Sequence, residues 1–343
     1  MYNFKYSYRT KDSAILPLLL VAVSLVYSFI FSLAVAKVAM LNGATTEAEI
    51  ATFASLPWVT VINMLLGQVF IIGTYIIYSL VTGKDMAVAS TIKGKFQWLP
   101  FLVVIVMSVV CLFGFNYLVA VIDTGIVGIT GKGVSAVEVV GGFGGLVLSS
   151  FCFAIVPAIV EEFVYRGVVF NGLKTSFKPT TAILLSALIF MLMHFNIYQT
   201  FYQFILGVVL SLICYYTGSI LYSMVFHMLN NFMVVLFAYV APNLFVVSNM
   251  SAPIVLLIVG GALLAAGALF GLFVLLKKLC QKYDTKAKVI EEKSEQEQTI
   301  ENTEGLSEYD IKQLNIKPQG YSKKLLWYAI AILVVMWIIT NFV

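Results

Sequence analysis

The chain has 343 residues, of which 61% are hydrophobic and 11% charged, with 21 Lys and Arg against 17 Asp and Glu for a formal net charge of +4. Soluble domains carry about 25% charged residues, and a mean hydropathy of +0.97 excludes that class in favour of a polytopic membrane protein, an all-α bundle in a lipid bilayer. The small basic excess lies between apolar runs, so it is read as a topology signal and no nucleic acid is expected as a partner.

In chain order, Lys5, Arg9 and Lys11 precede a first apolar run over 14–36. That run is too long for a signal-peptide core and is followed by no small-residue cleavage site, so it is expected to remain as a membrane helix. Further runs of spanning length fall at 56–81, 98–122, 148–173, 180–195, 198–216, 219–240, 252–276 and 325–343. This reading gives about nine transmembrane helices, the fifth being the shortest.

Basic residues occupy alternate loops: the N-terminus, then Lys84, Lys93 and Lys95, then Lys174 and Lys178, then Lys277, Lys278 and Lys282. The loops between them hold Glu47 and Glu49, or Asp123, Lys132 and Glu138, or no charge at all. The positive-inside rule therefore predicts a cytoplasmic N-terminus in a multi-pass plasma-membrane protein, and an odd number of spans places the C-terminus outside. Cys111, Cys152, Cys214 and Cys280 show neither CxxC nor metal spacing and are read as reduced or membrane-buried thiols.

The expected organisation is N-terminal membrane helices over 1–143, a core over 144–240, an eighth span over 241–276, a charged linker over 277–324 and a final span over 325–343. The linker, with runs such as Glu291-Glu292-Lys293, cannot bury enough surface to offset chain entropy and is read as a solvated cytoplasmic tether. Glycines at 141–145 and at Gly267 and Gly271 are read as loop or ordinary helix packing.

Within the core, Glu161, Glu162 and Arg166 interrupt an apolar helix, and ionisable groups at membrane depth cost several kcal/mol, which makes them functional candidates. The chain has two histidines, one in the stripe Ser186, Phe190, His194 and one in the pair His227, Asn231. Residues four apart share a helix face, so Glu162 can pair with Arg166 while Glu161, turned about 100°, faces elsewhere. Pro157, one turn earlier, removes a backbone hydrogen bond near the site.

A carboxylate with an imidazole can activate water, and a second imidazole with an amide can donate to a developing oxyanion. That is equipment for amide hydrolysis without a covalent nucleophile. No His-Glu-x-x-His, Gly-x-Ser-x-Gly or Gly-x-Gly-Asp motif is present. Glu161, His194 and His227 are also adequate zinc ligands. Against zinc stand the lack of a His-x3-His pair and the positive charge of Arg166, so a metal-free site is favoured with zinc as its alternative.

Glu161-Glu162-x3-Arg166-Gly167, Phe190-x3-His194 and His227-x3-Asn231, in this order on three helices, resemble the three motifs of the CPBP family of intramembrane proteases. That family comprises CAAX prenyl proteases of the Rce1 type and bacterial Abi or bacteriocin-immunity proteins, and the resemblance covers about residues 145–240. It implies that Glu161 and His194 activate the water, that His227 and Asn231 form the oxyanion hole, and that Glu162 and Arg166 support the site. It implies an endopeptidase acting on a lipidated or hydrophobic membrane-associated peptide or protein. A single intramembrane Glu–Arg pair is as often structural as catalytic, and either histidine alone is more often a satisfied helix-contact residue than a catalyst; the joint pattern points to chemistry. The alternatives are a non-proteolytic immunity or scaffold protein of the same family, or an ion-coupled transporter, for which paired broken helices and inverted repeats are missing.

Overall fold

In hydrocarbon every backbone N–H and C=O must find its partner within the protein, so apolar runs of about 20 residues close their own hydrogen bonds as helices. The computed structural model describes residues 8–84, 86, 96–131, 141–247, 251–298 and 320–342, with backbone alone for 283–298 and 320–322. Among these residues the elements are helical and no strand is formed.

The first helix, α1 (Thr10–Leu41), is followed by a short surface helix, α2 (Glu47–Ala54), and then by α3 (Pro57–Val81) and α4 (Trp98–Thr130). The α2 start is a capping box. Thr46 Oγ1 accepts from the Glu49 N–H at 3.3 Å while the Glu49 carboxylate accepts from the Thr45 and Thr46 N–H groups at 2.7 and 3.0 Å. Those backbone donors hold the Glu49 carboxyl below its usual range. The α4 helix runs beyond residue 122 and stops where Gly131 takes φ +67°, a conformation glycine adopts without steric cost.

A composite helix, α5 (Gly142–Lys174), carries the acidic motif. It is followed by α6 (Pro179–Leu192), α7 (Ile197–Thr217), α8 (Ile220–Val240), α9 (Ala252–Gln298) and α10 (Gly320–Phe342). Among the described residues eight helices are long and apolar enough to cross a membrane, and Pro179–Leu192 is a shorter apolar helix. The expected fifth span is thus the exception: α6 has 14 residues, about 21 Å at 1.5 Å per residue, and stops before His194.

The helix after α8 reaches into the stretch read as a charged linker. The α9 helix continues through Lys277 to Gln298, because Lys, Glu, Gln and Ala are good helix formers and extending an existing helix needs no new nucleus. Of the residues that carried the topology argument, Lys5, Lys93, Lys95, Lys132, Glu138 and linker positions 299–319 lie outside the described residues.

Helix packing is closest where side chains are smallest. A Cβ on Gly207 of α7 would lie 2.8 Å from the Cα of Ala187 on α6, so glycine is what lets these backbones meet. At Gly172 near the end of α5, a Cβ would lie 2.6 Å from the carbonyl oxygen of Arg9, which seats the start of α1 against that end. Thr10 Oγ1 donates there to Ser176 Oγ at 2.6 Å, and Ser13 Oγ donates to the Val169 carbonyl at 2.8 Å.

The same end is clasped by a buried ion pair. Asp12, fully buried, accepts from Lys84 Nζ at 2.9 Å, from Tyr78 Oη at 2.6 Å and from the Arg9 N–H at 2.6 Å. Burial pushes the Lys84 ammonium below its usual range, and the Asp12 carboxylate pulls it back up. Lys323 of α10 lies over the Phe177 ring at this end as well, 5.1 Å from its centroid. Basic segments that the sequence assigns to one side of the membrane therefore sit together at one end of the bundle.

Removing one member of a buried ion pair leaves an uncompensated charge, at a cost of about 3–5 kcal/mol. Asp12→Asn should lower thermal stability in detergent micelles by about that amount. Adding Lys84→Met to it should recover most of the loss, as measured by unfolding midpoints.

Candidate active site

The site is assembled from α5, α6, the turn after α6, and α8. The α5 helix changes winding twice: residues Phe151–Ile155 and Phe163–Phe170 are π-helical, flanking the α-helical turn Val156–Glu162. Pro157 lies in the first turn of that α segment and has no N–H to give the Phe153 carbonyl. That carbonyl instead faces the Asn231 amide of α8, with Nδ2 donating at 3.4 Å. Single π-turns inside α-helices are concentrated at functional sites, where they re-aim side chains that regular winding would scatter.

Glu162 and Arg166 form the centre. Both are fully buried, and Arg166 Nη1 donates to Glu162 Oε1 at 2.7 Å. The other guanidinium arm, Nη2, donates to the Gly207 carbonyl at 3.2 Å, and Cζ lies 4.6 Å from the centroid of Phe190. One cation therefore joins α5 to α6 and α7. The close approach at Gly207 brings that carbonyl within its reach.

His227 meets the same carboxylate from α8. Its Nδ1 is 3.1 Å from Glu162 Oε1, and because a carboxylate only accepts, Nδ1 carries the proton. Its Nε2 lies 4.0 Å from Glu161 Oε2, beyond hydrogen-bond reach, so this nitrogen keeps its own bonding capacity. Ser223, one helical turn before His227, also lies against Glu162.

His194 is held differently. It sits in the turn after α6, and its Nδ1 is 2.8 Å from the Phe190 carbonyl oxygen. A carbonyl oxygen has no proton to give, so Nδ1–H donates and, in the neutral ring, Nε2 has a free lone pair. Glu161 and His194 lie close enough to interact electrostatically. The Glu161 side chain retains 15% of its exposure whereas Glu162 has none, so the two adjacent carboxylates occupy different environments.

Phe190 packs these groups together. Its ring contacts those of Tyr165, His194 and His227 edge to face, with centroids 4.9, 4.8 and 5.9 Å apart, while the Arg166 guanidinium lies over it. Such contacts fix ring planes as well as burying apolar area. The Phe-x3-His spacing puts an aromatic wall one turn below the histidine, and both imidazoles lean on it.

The structure thus brings Glu161, Glu162, Arg166 and His227 into one cluster, with His194 near enough to Glu161 to interact electrostatically and Asn231 one turn beyond His227 on α8. Spacing alone paired His227 with Asn231; it could not show that His227 is anchored to Glu162 through Nδ1. Also missed were Gly207 and Ser223, for which the sequence offers only a small residue in an apolar helix. Among the described residues no group of three His, Cys, Asp or Glu is arranged to hold a metal ion. Glu161, His194 and His227, the alternative zinc ligands, are not drawn into such a group in this geometry.

No curated protein and no solved structure matches the chain. A family model described as type II CAAX prenyl endopeptidase Rce1-like matches residues 143–233, the stretch from α5 into α8 that contains all the residues of this cluster. The resemblance read from the three motifs is matched over that stretch, and residues 143–233 of this membrane protein are similar to the Rce1-like family.

Proposed function

We propose that the chain is an intramembrane endopeptidase that hydrolyses a peptide bond in a lipidated or hydrophobic membrane-associated substrate with an activated water. The observation that carries the reading is the tautomer of His194: its Nδ1–H is committed to the Phe190 carbonyl, which leaves Nε2 as the lone-pair nitrogen of a ring near enough to the Glu161 carboxylate to interact with it electrostatically. A general base must present a lone pair toward its proton, and orientation comes before pKa in identifying one.

Glu161, with His194 beside it, takes a proton from water as the water oxygen bonds to the scissile carbonyl carbon. Negative charge then develops on the carbonyl oxygen. The same proton passes to the leaving amine as the C–N bond breaks, leaving a carboxylic acid and an amine. Asn231 supplies an amide donor to the oxyanion, exchanging a long bond to Phe153 for a charge-assisted one. His227 can donate through Nε2 only when both its nitrogens carry protons, since Glu162 already engages Nδ1. Glu162 and Arg166 touch no reacting atom in this scheme; they hold His227 and the α5–α7 contact.

Glu161→Gln should abolish hydrolysis while expression and folding stay normal, and comparison of membrane peptidomes should show an uncut substrate accumulating in the variant. Residual hydrolysis above a few per cent of wild type would move the base to another residue, and a phenotype unaffected by the substitution would favour a scaffold.

Asn231→Ala should lower kcat by about 100-fold or more with a smaller effect on KM, the pattern of a lost oxyanion donor. A change in KM alone would make Asn231 a binding residue. Activity of purified protein should survive exhaustive chelation. Loss that is restored by stoichiometric zinc would overturn the metal-free scheme.

A further inference from the structure

The turn that carries His194 is held by a helix far away in sequence and outside the matched stretch. After α6 ends, Phe195 takes φ +47°, a left-handed conformation that costs a non-glycine residue energy and persists only where neighbours enforce it. Two residues later α7 begins, and its first N–H groups have no partner within the helix. Asn196 Oδ1 accepts from the Tyr198 N–H at 3.0 Å. The Ile197 N–H goes instead to Asn341 Oδ1 of α10, at 2.8 Å.

The Asn341 amide nitrogen completes the arrangement, donating to the Phe195 carbonyl at 3.5 Å and to the Trp337 carbonyl of its own helix at 2.8 Å. The assignment of oxygen and nitrogen is forced: a backbone N–H needs an acceptor and the two carbonyls need donors. One turn earlier, Trp337 Nε1 donates to Thr200 Oγ1 at 3.2 Å, and that hydroxyl bonds the Asn196 carbonyl at 2.9 Å. Phe195, Asn196 and Ile197 are thus each tied, directly or through Thr200, to α10.

We propose that Asn341 is a positioning residue for His194, and that the C-terminal helix is therefore a working part of the site. It touches no reacting atom. It acts by capping α7 from outside and holding the Phe195 backbone, so that the His194 Nδ1–H stays on the Phe190 carbonyl and Nε2 keeps its lone pair. The role assigned to His194 rests on the endopeptidase reading, but the mechanical coupling of Asn341 to the turn does not.

The two can be separated experimentally. His194 and His227 are the two histidines of the chain, and His227 is buried, so diethyl pyrocarbonate modification followed by mass spectrometry reports on His194. Measurements use the full-length protein in micelles, with amide hydrogen exchange read at Ile197 and Tyr198. In Asn341→Leu, exchange at Ile197 and modification of His194 should each rise by roughly fivefold, the effect of losing one helix cap on local opening. Asn341→Asp keeps the acceptor for Ile197 and should retain most of the protection there.

If Asn341→Leu fails to fold, Asn341→Ala against Asn341→Asp gives the same comparison. Unchanged exchange and unchanged modification would overturn the proposal, as would equal loss of protection in the Asp and Leu variants. A farnesylated peptide ending in a CAAX sequence serves as the activity probe: given turnover by wild type, Asn341→Leu should lower kcat more than KM and Asn341→Asp should restore part of it. Absence of turnover by wild type counts against the endopeptidase reading, while the exchange and modification results still decide the coupling.

Discussion

The structure of the site depends on the buried pair of Glu162 and Arg166. Taking two charges out of water costs several kcal/mol for each, and their mutual attraction offsets this only when geometry is good and the remaining bonds are made. Here the guanidinium donates to Glu162 and to the Gly207 carbonyl and lays its face on Phe190, while the carboxylate also accepts a hydrogen bond from His227 Nδ1–H; Glu162 Oε2 and Arg166 Nε are left without a hydrogen-bond partner among the described residues, so the pair is not fully compensated. Apolar residues of the same volume would serve stability at least as well, so the pair is better understood through what it orients. It fixes the tautomer of His227 and ties α5 to α6 and α7 at the level where the second carboxylate, Glu161, is left half-buried.

The division between the two glutamates follows from winding. Adjacent residues on a helix point about 100° apart, so when one carboxylate is locked into the interhelical contact its neighbour must face a different space. The π-helical turns before and after Val156–Glu162 set which space that is. Pro157 contributes by withdrawing an N–H from the Phe153 carbonyl, which then meets Asn231. A single backbone irregularity thereby links the acidic motif to the last motif on α8.

Much of the fold was legible in hydropathy because lipid enforces helices of a minimum length, and eight of the expected spans are present as long apolar helices. The residues of the site were legible because charge in hydrocarbon is conspicuous. Features that do not register in hydropathy were missed. The α2 helix announces itself only through Thr46 and Glu49 as a capping box, and the extension of α9 to Gln298 follows from helix propensity in a segment read for its charge. Asp12 was hidden beside Lys11 in what looked like a basic flank, although its side chain is fully buried. The bond from His227 to Glu162 joins residues 65 positions apart, and no local pattern encodes it.

The short helix α6 explains why His194 lies where it does. At 14 residues it covers about 21 Å of a hydrocarbon layer of about 30 Å, so the chain must leave helical geometry while still at membrane depth. Non-helical backbone is tolerated there only when the protein itself supplies partners for the freed N–H and C=O groups. The Phe190 carbonyl receives the His194 imidazole; the Phe195 carbonyl and the Ile197 N–H receive the two ends of the Asn341 amide. The same bonds that make a broken helix affordable in lipid set the protonation and direction of the imidazole, so the break and the placement of His194 are one feature.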